Sequence, residues 1–165
     1  MVFSVAEKSL SDWKFLGHSV YCLRIIPEAH KSENKKEKGP AILFIHGFGA
    51  STTHWRHNLP VLGKHYEVHA LDLLGFGKSA KPGDLAYGGP LWKDQIVAYV
   101  KENIGRPTVL VGNSLGGYAA LASGAALGEE AAGVVLLNAA GYFSEDKKTL
   151  KVFGQLREKL LLVSF

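Results

Sequence analysis

Short apolar runs alternate along the chain with longer segments that carry an apolar residue every three or four positions. That alternation predicts a mostly parallel sheet with crossover helices, an α/β fold. Ala41–Ile45, Thr108–Val111 and Gly133–Leu137 are continuous apolar runs, as strands buried on both faces require. Tyr66–Leu71 is a further strand, and Trp13–Ile26 reads as one or two strands, a hairpin or meander at a sheet edge. Thr52–Leu62 is a helix whose length Pro60 limits. Leu91–Ile104 sets Trp92, Ile96, Val100 and Ile104 on one stripe, and Leu115–Leu127 is an Ala-rich helix. The last predicted helix is Ser144–Leu162, with Ser144 as its cap, Glu145 and Asp146 in its first turn, and Leu150, Phe153, Leu156 and Leu160 on one face.

Polar stretches punctuate these elements. Pro27–Pro40, rich in lysine and glutamate, is a surface connection, because too little chain precedes it to form a core of its own. Leu73–Gly89 is a glycine-rich loop. A chain of 165 residues fits one domain with a single core.

The charge balance changes this picture little. A net charge of +4 could suit an anionic partner, but the excess lies in Lys31, Lys35, Lys36 and Lys38 of the polar connection and in Lys147, Lys148 and Lys151. These read as a solvated loop and a solvated helix face, and no aromatic residues interleave them to stack on bases, so no nucleic-acid partner is expected. Cys22 is the single cysteine, which excludes an internal disulfide and a thiolate metal cluster and leaves a buried thiol. No metal and no cofactor are expected. Residues 1–8 lack a basic start followed by an apolar run, and no segment approaches the roughly 18 uninterrupted apolar residues of a membrane span. The expected location is therefore cytoplasmic, with a plastid location left open.

Chemistry concentrates in three turns that follow strands. Gly112-Asn113-Ser114-Leu115-Gly116 matches G-x-S-x-G between a strand and a helix, the setting of a nucleophile elbow. The backbone turns there too tightly for bulky neighbours, and the helix N-terminus faces the charge that develops during attack. His46-Gly47-Phe48-Gly49 follows the Ala41–Ile45 strand. An oxyanion hole needs two converging N–H groups, which Leu115 and Phe48 would supply, with Gly47 and Gly49 shaping the turn. His46 invites a role as base, but a histidine leading such a turn is better read as hydrogen-bonded within the loop. Gly77-Lys78-Ser79 imitates the end of a phosphate-binding loop, yet that motif needs glycine where Asp72 stands. Asp72 is expected to stabilise its turn through its side chain. No G-x-G-x-x-G opens the helix after the first strand, which argues against dinucleotide binding.

In this order, His46-Gly47-Phe48-Gly49, Asp72-x-x-Gly75-x-Gly77-x-Ser79 and Gly112-x-Ser114-x-Gly116-Gly117 resemble the α/β-hydrolase superfamily over roughly Trp13 to Tyr142. The text is most similar to its epoxide-hydrolase and haloalkane-dehalogenase-like branch, including the pheophytinase-like members of plants and cyanobacteria. Dehalogenases and epoxide hydrolases use an aspartate nucleophile where this chain has Ser114, so the resemblance implies ester or related acyl chemistry on a small, apolar substrate. It also implies an eight-stranded sheet with a cap inserted after the sixth strand. Gly133–Leu137 would be that sixth strand, making residues 1–143 the N-terminal part of the core and 144–165 a helical segment that begins a truncated cap.

The family's order of nucleophile, acid and histidine is the main departure. All seven histidines precede Ser114, and Asn138 stands where some members place the acid. The expectation is a serine hydrolase inactive or nearly so as these 165 residues alone. A different reading is a truncated or split non-catalytic domain. It would use the exposed edge at Gly133–Leu137 to pair with a second copy or with a complementary C-terminal half.

Overall fold

The computed structural model describes residues 7–9, 13–27, 39–140 and 160–163. Among them, nine strands and three α-helices follow one another along the chain. They are β1 (Glu7–Ser9), β2 (Lys14–Phe15), β3 (His18–Ser19), β4 (Cys22–Ile25), β5 (Ala41–Ile45), α1 (Asn58–Leu62), β6 (Val68–Leu71), α2 (Gly89–Tyr99), β7 (Thr108–Asn113), α3 (Leu115–Leu127), β8 (Ala131–Leu137) and β9 (Leu160–Val163). Seven of these strands form one sheet in the order β1-β4-β6-β5-β7-β8-β9. From β6 through β9 neighbouring strands are parallel, while β1 and β4 run antiparallel on the far side. The result is a mostly parallel sheet with flanking helices, as the α/β expectation requires.

Two hydrophobic layers sandwich the sheet. Residues with odd numbers in β5 (Ala41, Leu43, Ile45) join Leu110, Val134 and Leu136 under Trp92, Ile96 and Tyr99 of α2 and Ala119 and Ala120 of α3. The opposite face carries Phe44, Val68, Ala70 and Val111 and packs on Trp55 and Leu59. Strand alternation sends successive residues to the two layers, which is why the continuous apolar runs are needed.

Several expected elements take a different form. Trp13–Ile26 supplies a separate two-stranded hairpin, β2–β3, and then β4, which lies one strand in from the edge because β1 pairs outside it. The Thr52–Leu62 helix is two pieces, a 3-10 turn at Thr52–Trp55 and α1. Pro60 has no N–H to donate, so a continuous helix loses a bond there. The Leu91–Ile104 helix begins earlier, at Gly89, and its end widens into a π turn over Val100–Ile104, closed by Gly105 at φ +65°.

The C-terminal expectation changes most. Leu160–Val163 is a strand parallel to β8, with Val134 opposite Leu160 and Leu137 opposite Val163. It is not the end of a helix, and the rest of the expected Ser144–Leu162 helix lies outside the described residues. Four consecutive apolar residues fit a strand as well as a helix, and the row of N–H and C=O groups along β8 decides the matter. The Gly133–Leu137 edge expected to lie open is therefore covered, and the sheet runs one strand past it. No helix among the described residues is long and apolar enough to cross a membrane.

Candidate active site

Ser114 lies between the last residue of β7 and the first of α3, at φ +52° and ψ −118°. A non-glycine residue is strained there, and it persists only when its surroundings hold it. They do. The Ser114 N–H donates to the Leu137 carbonyl at 3.1 Å, and the Ser114 carbonyl accepts from Gly117 and Ala140 N–H, each at 2.9 Å. Neighbouring glycines make the turn possible: a Cβ on Gly112 would strike the Gly116 carbonyl, and one on Gly116 the carbonyls of Ile45 and His46. The G-x-S-x-G spacing thus reflects two backbone segments crossing where no side chain fits.

The His46–Gly49 turn is brought against this elbow. A Cβ built on Gly47 would lie 3.2 Å from Ser114 Cβ and from the Asn113 carbonyl, so the two turns touch through Gly47. Asn113 Nδ2 donates to the Leu137 carbonyl at 3.2 Å and fastens the elbow to β8. The first N–H groups of a helix have no intrahelical partner. Among the described residues, the N–H of Leu115 at the start of α3 and that of Phe48 have no hydrogen-bond acceptor. Phe48 itself projects outward, 79% exposed.

His46 is fully buried and both ring nitrogens are occupied. Nε2 accepts from the Leu73 N–H at 3.0 Å, so the proton sits on Nδ1, which lies 2.8 Å from the Gly47 carbonyl. Burial pushes its pKa below the ordinary 6.5, against the opposing pull of the Gly47 carbonyl and the Asp72 charge. A neutral ring with no free lone pair cannot take a proton from Ser114. His46 bonds within its own turn through Gly47, and through Leu73 it also ties that turn to the loop after β6.

Asp72 is the hub of the neighbouring loop. Its Oδ1 accepts from Thr52 N–H at 2.6 Å and its Oδ2 from Lys78 N–H at 2.7 Å, while its carbonyl accepts from Ser79 Oγ and Gln95 Nε2. Gly77, at φ +53°, runs so close to Asp72 Oδ2 that a side chain would collide with it. The aspartate serves its turn, as expected, and also fixes the start of the Thr52–Trp55 turn, a reach of 20 positions that the sequence pattern did not signal. A cleft of about 280 Å³ lined by Tyr21, Leu23, Thr52, Arg56, Leu59 and Lys78 lies beyond that loop and does not include Ser114, Leu115 or Phe48.

A second buried polar cluster lies at the opposite end of the parallel strands. Glu67 precedes β6 and accepts from Arg24 Nε at 2.8 Å and Arg106 Nη2 at 2.8 Å. His69 Nε2 contacts Glu67 Oε1 and His69 Nδ1 contacts the Tyr99 hydroxyl, each at 3.0 Å. Burial alone would push the Glu67 carboxyl up, but His69, Arg106 and Arg24 outweigh it and hold the group well below the ordinary carboxylate range. Burial lowers the His69 pKa despite Glu67. Cys22 is buried beside this cluster, and burial pushes its thiol up to about 12. No group of three or more metal-ligating side chains occurs among the described residues.

Comparison with known proteins follows the same lines. A model of the alpha/beta hydrolase family matches residues 42–162. The chloroplastic pheophytinase of Arabidopsis thaliana is 34% identical, over 63% of this chain and 28% of that protein. The 2-hydroxy-6-oxo-6-(2'-aminophenyl)hexa-2,4-dienoic acid hydrolase of Metapseudomonas resinovorans is 36% identical, over 69% of this chain and 40% of that protein. Among solved structures, a bacterial membrane phospholipase A superposes with a TM-score of 0.71 at 29% identity, covering 87% of this chain and 42% of its own. The chain thus spans between 28% and 40% of the length of the first curated relatives it matches.

Proposed function

Since the chain belongs to the alpha/beta hydrolase family, we propose that it carries the nucleophile and oxyanion hole of a serine hydrolase acting on an ester or related acyl bond. One observation supports this above the others: a strained Ser114 at φ +52°, with the Gly47 turn against its Cβ and two N–H groups beside it that bond to nothing among the described residues. Strain that stability does not require is a mark of function.

In the proposed reaction Ser114 Oγ attacks the carbonyl carbon and the carbonyl oxygen becomes an oxyanion. Leu115 N–H and Phe48 N–H donate to that oxygen, an interaction worth about a hundredfold to a thousandfold in rate per donor. Collapse expels the alcohol, which leaves with the proton that the serine hydroxyl gave up. Water then attacks the acyl-serine, releases the acid and restores the hydroxyl. Enzymes of this type use a histidine, held by an acid, to carry that proton. His46 is engaged at both nitrogens, and among the described residues no histidine is hydrogen-bonded to the Ser114 hydroxyl. Residues 1–165 by themselves therefore acylate slowly, because a serine hydroxyl without a base is a poor nucleophile at neutral pH.

A fluorophosphonate probe with and without added imidazole tests this reading. Imidazole can act as the absent base, so the probe should be found on Ser114 at a rate that rises with imidazole, and Ser114→Ala should abolish the adduct. An adduct on another residue, or none at high imidazole, would contradict the assignment. Fast labelling of Ser114 without imidazole would overturn the need for an outside base.

The second reading, a non-catalytic domain that pairs with a second copy or a complementary half, rested on an open β8 edge. That edge is occupied by β9, so in this reading the pairing edge moves to β9, the last strand of the sheet among the described residues.

A further inference from the structure

We propose that the exposed ring of Phe48 forms one wall of the site and selects acyl substrates with a flat aromatic or conjugated group next to the reacting carbonyl. This rests on the reading of Ser114 as the nucleophile.

Phe48 is 79% exposed, more than any other large apolar side chain among the described residues. Phe48 stands in the turn whose N–H is the proposed oxyanion donor, one residue from the Gly47 that abuts Ser114 Cβ. Its ring is held rather than loose. It meets Phe76 edge to face, with centroids 5.4 Å apart and planes at 74°. Phe76 in turn lies edge to face with His46 at 5.7 Å and tilted against Trp92 at 5.8 Å. Trp92 is only 7% exposed, and its indole N–H donates to the Leu74 carbonyl at 3.0 Å. A train of rings therefore runs from the core through Phe76 to Phe48 and fixes the outermost one from below.

That arrangement favours a ring over a chain. Phe48 spends one ring contact on Phe76 and leaves most of its aromatic surface open, so a flat conjugated group gains stacking or edge contacts beyond its buried area, whereas a saturated group of equal size gains only the area. The added preference corresponds to about threefold to tenfold in affinity. Since the Phe48 side chain and the Phe48 N–H belong to one residue, a ring seated on the wall brings its attached carbonyl toward the same turn.

The test measures binding without reaction. In the Ser114→Ala protein, dissociation constants for methyl 2-naphthoate and methyl decahydro-2-naphthoate are read by ligand-observed NMR. The naphthoate should bind about five times more tightly. Phe48→Ala, which keeps the backbone N–H, should bring the two within twofold. Val61→Ala, which removes an apolar side chain 60% exposed on α1, should leave the ratio unchanged. Equal affinities, no naphthoate binding up to its solubility limit, or a preference that survives Phe48→Ala would overturn the proposal. Ring preference with no probe on Ser114 would leave the aromatic wall standing and remove the hydrolase reading. Labelling of Ser114 with no ring preference would do the reverse.

Discussion

The two ends of the parallel strands treat polar groups in opposite ways. At the amino ends, before β6 and β7, Glu67, Arg24, Arg106, His69 and Tyr99 form a buried set in which both carboxylate oxygens and both imidazole nitrogens have partners. Arg106 also reaches across to the Gly39 carbonyl before β5 at 3.2 Å. At the carboxyl ends His46 and Asp72 are paired as fully, but after β5 and β7 the N–H groups of Phe48 and Leu115 and the Ser114 hydroxyl have no partner among the described residues. One end is saturated and ties β4 and β6 to the residues that lead into β5 and β7. The other sets a strained serine and open donors among paired side chains, and the fold holds them so through glycines that allow close approach. A buried network contributes to structure when every member is paired. A set of donors that face no acceptor makes sense when a reacting atom arrives to use them.

The comparison can be broken at either end, and the largest effect is expected at the saturated one. Glu67→Ala leaves Arg106 and His69 buried without their carboxylate, and should cost about 3–5 kcal/mol in a urea unfolding titration. A loss under 1 kcal/mol would show that the network is incidental. Gly116→Val forces a side chain into the carbonyls of Ile45 and His46. It should destabilise by about 1–3 kcal/mol and also abolish imidazole-dependent labelling of Ser114. A protein that keeps its labelling rate would show that the crossing of β5 and α3 is looser than the geometry requires.

Ser114→Gly should move stability the other way. Glycine adopts φ +52° freely, so relief of strain should stabilise by about 1 kcal/mol, while Ser114→Ala keeps the strain and gains nothing. Equal stability for the two variants, read from thermal unfolding, would mean that the elbow stores no strain. The opposite signs expected for Glu67→Ala and Ser114→Gly state the contrast between the ends in one measurement.

The smallest effect is that of mild acid. His46 and His69 have native pKa values below the ordinary 6.5, so the unfolded chain binds more protons as pH drops through that value. Their contribution is present above 6.5 and declines as pH falls toward their native values. Glu67, also depressed from its ordinary 4.5, adds a second decline below that point. Melting temperature should therefore fall gently below about pH 6.5 and more steeply below about pH 4.5, and Glu67→Gln should flatten the second phase. A melting temperature that rises with acid would contradict the assignment of these groups.

The open end was more legible in the sequence than the saturated one, for a physical reason. Elbow and turn are local: Gly112, Ser114 and Gly116 lie within five positions, and the demand for absent side chains is written as glycine. Continuous apolar runs likewise marked β5, β7 and β8 to within a few residues. The Glu67 network was invisible because its partners sit 43, 39 and 30 positions apart, and nothing local distinguishes a paired arginine from a solvated one. Asp72 falls between: its turn was readable, its bond to Thr52 was not. The strand at Leu160–Val163 was hidden in a helical pattern because Leu160 also extends the stripe of Leu150, Phe153 and Leu156, and only the neighbouring edge of β8 distinguishes the two conformations.

The central claim is that the N–H groups of Leu115 and Phe48 await the oxygen of a group bound to Ser114. Amide proton NMR of the chain before and after phosphonylation at Ser114 tests it most directly. The phosphoryl oxygen stands in for the oxyanion, so both amide protons should shift strongly downfield, while the amides of Glu67 and His69 stay where they were. Amide protons of Leu115 and Phe48 that do not move in a protein carrying the adduct on Ser114 would contradict it.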